Sequence, residues 1–134
     1  MAPPPAMTAG AEPATEPANN PCVREGRRPV VLYTQIYSSD EQRPARDFLK
    51  LLEGSGISTP GIENVVSAAT RRGSPPPLPW PRPTFIYHAR RDGECARWLA
   101  QKFSDKAVAL PLAASLQASP GVIEFWLPAQ AKPN

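Results

Sequence analysis

A chain of 134 residues, 41% of them hydrophobic and 19 of them proline, fits one folded domain and no more. The prolines crowd into two places, the first 21 residues and an internal stretch from Pro75 to Pro83, so the segments between them can still bury a modest core. A formal charge of +3, mostly arginine, is too mild to imply an anionic polymer as partner, and no specific nucleic acid is expected.

Residues 1–28 form an Ala/Pro/Glu/Thr-rich arm with almost no large apolar side chain before Val23. Such a segment cannot bury enough surface to offset the entropy of ordering and is expected to be a disordered tether. The folded module is expected over 29–128, with a frayed tail at 129–134. VVLYTQIY, residues 30–37, is rich in β-branched and aromatic side chains and reads as a central strand. Val30, Leu32, Thr34 and Ile36 point to one face, and Val31, Tyr33, Gln35 and Tyr37 to the other.

A helix over 41–53 follows, with Ser39 as cap and Gln42 completing a capping box. Ala45, Phe48, Leu49 and Leu52 recur at the spacing of one buried stripe, and Gly54 and Gly56 stop it. Ile62 to Val66 reads as a short edge strand after the Pro60–Gly61 turn. RRGSPPPLPWPRP, residues 71–83, can be neither helix nor ladder strand, so 67–83 is expected to be a long proline-rich loop. Thr84 to His88 is the next strand. Asp92 caps a second helix, in which Ala96, Leu99, Ala100 and Phe103 repeat the buried spacing. Ala107 to Leu110 is a short extra strand ended by Pro111, and Val122 to Leu127 alternates and closes the fold after the small-residue loop 113–121.

Two strand–helix units joined by a hairpin predict an α+β fold of the ferredoxin-like βαββαβ kind. Two helices would lie on one face of a mostly antiparallel four-stranded sheet. The other face is left for function.

Little else in the chain carries chemistry. Cys22 in the arm and Cys95 in a helix make no disulfide framework, and the sole histidine, His88, leaves a zinc site short of ligands. No metal or cofactor is expected. His88 with Cys95 invites a nucleophile–base reading, but no orienting residue or glycine elbow accompanies the pair, so no enzyme is expected. The P-x-x-P spacing of Pro76 and Pro79 beside Trp80 could serve a polyproline reader, although its flanking arginines are misplaced.

If Leu32, Ile36, Ile86, Ile123, Phe125 and Leu127 face the core, then Tyr33, Tyr37, Phe85, Tyr87 and Trp126 face outward. These rings, with Gln35 and Glu124 among them and Arg90 and Arg91 at the rim, could stack on sugars, bases or a peptide. The basic–Gly–aromatic stretch of an RNA-recognition domain is missing from TFIYHA. Packing on another domain or on a second copy of the chain is the competing use of the face.

Several segments carry a resemblance: VVLYTQIY before the helix, the Gly56–Val65 segment ending GIENV, IYHARRDGECARWLAQKF, and the closing PGVIEFWLP. Across 29–128 this layout resembles the C-terminal module of LytR-type bacterial envelope proteins and, more distantly, the sporulation-related (SPOR) repeat. The resemblance implies a non-enzymatic accessory module whose partner is envelope glycan or a protein. The chain departs from an envelope protein in showing no membrane anchor: no apolar run approaches the roughly 20 residues of a span, and the start has no secretory h-region. Taken as full length, it would be cytoplasmic. The alternative is then a docking or homodimerisation domain of a bacterial signalling or defence system, using the same sheet face.

Overall fold

The computed structural model describes residues 20–23, 28–113 and 119–129. Most of the arm, the middle of the 113–121 loop and the last residues of the tail lie outside these. The elements, in order, are β1 (Val30–Ile36), a 3-10 turn (Ser39–Glu41), α1 (Gln42–Leu51), β2 (Ile57–Ser58), β3 (Ile62–Asn64), α2 (Val65–Arg72), β4 (Thr84–Tyr87), a 3-10 turn (Arg90–Asp92), α3 (Gly93–Phe103), β5 (Val108–Pro111) and β6 (Val122–Leu127). The class is α+β, as expected. The topology differs from the expected one.

The sheet is mixed rather than mostly antiparallel, with order β2–β1–β6–β4–β5 and β3 continuing β2 along the same side of β1. β1 runs parallel to β2, β3 and β6, and β4 runs parallel to β5. Among the described residues only β4 and β6 pair antiparallel. The hairpin of a ferredoxin-like sheet is therefore absent. Each strand–helix unit pairs its own two strands side by side, as a helical crossover allows, and β6 slots between the units as the seam. The short strand at 108–111 is the outer edge of the second unit.

α1 and α3 cover the same face of the sheet, again as expected, through an aromatic cluster. Phe85 of β4 stacks on Phe125 of β6 with ring centroids 4.2 Å apart. Phe48 of α1 meets both edge-on, and Phe103 of α3 closes on Phe48 and Phe125. Leu32, Ile36, Leu99, Ile123 and Leu127 are buried around them.

Local chemistry explains the boundaries. Ser38, not Ser39, caps the first turn, accepting from the Asp40 amide at 3.1 Å. α1 buries Ala45 and Phe48, as its spacing required. Residues 65–72, assigned from sequence to a strand end and a loop, form α2. The Asn64 side chain accepts from the Val66 and Ser67 amides, and Gly73 ends the helix with a φ of 70°. Asp92 does not cap α3 with its side chain. Its buried carboxylate instead accepts from the Gly121 amide at 2.7 Å, tying the start of β6 to the second unit.

The end of the arm is also corrected. Asn20–Val23 is docked, not free, and Cys22 forms a disulfide with Cys95, 73 residues away. Both cysteines are buried. Asn20 folds the segment back, accepting from the Cys22 amide at 2.8 Å and donating to the Ser55 carbonyl at 3.2 Å. Two cysteines far apart in sequence give no local signal of pairing, which is why spacing alone did not reveal the bridge.

Candidate functional site

The face without α1 and α3 is set by register. Tyr33 lies opposite Glu124 of β6, which lies opposite Ile86 of β4. In the next row Gln35, Trp126 and Thr84 are neighbours, with Glu63 of β3 beside Gln35. Side chains alternate faces along a strand, so Tyr33, Gln35, Glu63, Glu124, Trp126 and Ile86 share the open side.

Three of the expected ring positions are on this side. Tyr33 is 45% exposed and is the most accessible ring among them. Trp126 is half-buried, and its indole Nε1 donates to Glu124 Oε1 at 2.8 Å. Tyr37 rests against Trp126 at 6.0 Å between centroids, and its hydroxyl donates to the Leu78 carbonyl at 2.9 Å. That bond pins the proline-rich loop to the end of β1, and partial burial raises the Tyr37 phenol above its ordinary value of 10.0.

Phe85 and Tyr87 are not on this side. β4 is one residue out of the expected phase: Phe85 is fully buried in the core, and Tyr87 packs on the core beside Gly93. Thr84 and Ile86 are the β4 residues on the side without α1 and α3, and both are buried there, at 1% and 5% exposed. Ile86 is inside, as expected, but on the opposite face of the sheet from Phe85. The reason is visible in TFIYHA, where apolar residues occupy both parities and alternation fixes no phase; pairing with β6 fixes it instead.

The shift also brings in a residue assigned a different role. His88 lies near the open side, with Nε2 2.7 Å from Glu124 Oε2. The Glu124 carboxylate is thus held by an imidazole on one oxygen and an indole on the other. The His88–Cys95 pairing considered from sequence is excluded, because the Cys95 sulfur is in the disulfide. Arg90 and Arg91 are exposed in the turn after β4. Arg91 lines a shallow cleft at the end of the open side with Arg28, Val31 and Val122.

At the opposite border of this face, β1 pairs with β2 over Val30–Val31 and with β3 over Thr34–Ile36, leaving Leu32 and Tyr33 without paired residues on that side. A cleft of about 270 Å³ occupies the break, lined by Tyr33, Thr34, Gln35, Pro60, Gly61, Ile62 and Glu63. What the whole side offers chemically is one exposed ring, two carboxylates, an amide and an imidazole. Among the described residues no helix is long and apolar enough to cross a membrane. No protein-family model matches this chain, and no curated protein or solved structure does either.

Proposed function

We propose that this chain is a non-enzymatic binding module that takes an envelope glycan on the open side of its sheet. Tyr33 is the stacking platform and Glu124 the polar anchor. The observation that carries the reading is Tyr33, an exposed ring in register with a carboxylate held on both oxygens by Trp126 and His88. An aromatic ring takes the apolar face of a sugar while preoriented polar groups take its hydroxyls. Protein interfaces, by contrast, centre on an apolar patch depleted of charge. Here the surroundings of the one prominent ring are Gln35, Glu63, Glu124 and His88, which favours a hydroxyl-rich ligand.

The Cys22–Cys95 bridge supports the envelope over the cytoplasmic alternative. Buried structural disulfides persist in oxidising compartments and are rare where thioredoxin and glutathione keep thiols reduced. The test is cosedimentation of the oxidised protein with purified peptidoglycan sacculi. Wild type should pellet, and Tyr33→Ala should bind about tenfold more weakly, the loss of one stacking contact, with an unchanged melting temperature. Failure of the wild type to pellet, or equal binding by Tyr33→Ala, refutes the reading.

A further inference from the structure

The cleft at the break between β2 and β3 has a chemical bias that the glycan reading does not specify. Pro60 brings no N–H to the wall, and Gly61, at a φ of 147°, turns the chain where an L side chain would be strained. The Gln35 Oε1 is buried and has no hydrogen-bond partner in the protein. Glu63 stands exposed at the mouth, and Glu124 lies across Tyr33 on the next strand. None of the lining residues is basic. Carboxylates accept only, and an exposed carboxylate makes its strongest hydrogen bonds to a charged donor. The phenol ring adds a face that attracts cations.

An acceptor-rich wall beside an aromatic face selects a cationic N–H donor. We propose that this cleft is a subsite for a free ammonium on the glycan, so that the module prefers a de-N-acetylated hexosamine to its N-acetylated or uronic-acid counterpart. The inference rests on the glycan reading above: Tyr33 would carry the sugar ring, while the exposed Glu63 receives its amine. The overall positive charge of the chain does not oppose this, because screening confines the relevant field to within about 10 Å of the cleft.

The test is calorimetric titration of the oxidised protein with three hexasaccharides: glucosamine, N-acetylglucosamine and galacturonate. Glucosamine hexamer should bind about tenfold more tightly than the acetylated one, the difference weakening as salt rises, and galacturonate should bind least. Glu63→Gln, a change at an exposed edge position whose fold is checked by thermal melting, should erase most of the preference. Equal or tighter binding of the acetylated or anionic hexamer overturns the amine subsite and leaves the glycan reading standing. A preference that survives Glu63→Gln also overturns it. If none of the three binds and sacculi do not either, the glycan reading itself falls and takes the subsite with it; sacculi that bind while all three hexamers fail overturn the subsite alone.

Discussion

Reducing the Cys22–Cys95 bridge should cost this domain about 4 kcal/mol. The bridge joins residues 73 positions apart, and the chain-entropy relation for a closed loop of that length gives roughly 4 kcal/mol at 25 °C. The loop encloses β1 to β4 with α1 and α2, so most of the unfolded chain regains freedom when it opens. Set against a typical domain stability of about 5–15 kcal/mol, the loss is a large share. Reduction is a cleaner perturbation than substitution, because both cysteines are buried and a serine would add the separate penalty of an unpartnered hydroxyl. Urea unfolding followed by tryptophan fluorescence, with and without a phosphine reductant, reads the difference. The reduced form should have a lower midpoint and a steeper slope, since its unfolded chain is less compact. Identical curves would refute the reasoning, and so would mass spectrometry finding two free thiols in the untreated protein.

Two further outcomes follow from the phase of β4 and from the loop tether. Phe85→Ala should destabilise the fold by about 3–5 kcal/mol in the same urea assay, because it empties a site stacked on Phe125 and edged by Phe48; a cost within about 0.5 kcal/mol, that of an exposed position, would mean β4 presents Phe85 outward after all. The Tyr37 phenol ionises later in the folded than in the unfolded chain. Its contribution is therefore full below the ordinary value of 10.0 and is lost as pH rises through the higher folded value. Ultraviolet titration near 295 nm should show a late-ionising component, and Tyr37→Phe should remove it.

How much of this was legible in the sequence varies with the kind of signal. α1 and α3 were, because Ala45 and Phe48 in one, with Leu52 just past its end, and Ala96, Leu99 and Ala100 in the other repeat at helical spacing, and all are buried. The closing strand was too, since its burial alternates strictly from Ile123 to Leu127. α2 carried signals that proline-rich neighbours overshadowed: an asparagine cap at Asn64, two alanines on its buried side, and Gly73 at its end. Strand order was not legible. Nothing local in VIEFWL says that it lies between β1 and β4, parallel to one and antiparallel to the other, because pairing partners are chosen by the whole sheet. The stacking surface changed with that order, from five expected rings to Tyr33 backed by Trp126 and Tyr37.

The seam strand also explains why the middle of this side stays partly accessible although Thr84 and Ile86 beside it are buried. β6 is a central strand, yet it places Glu124 in the middle of the face that α1 and α3 leave uncovered. Covering that face with another domain would strip water from a carboxylate whose partners, His88 and Trp126, supply only one contact to each oxygen. Desolvating a charge costs several kcal/mol unless pairing is complete. His88 and Glu124 are 13% and 23% exposed, so the pair keeps partial access to solvent. The charge at Glu124, held in place and still partly accessible, is what the proposed glycan would meet.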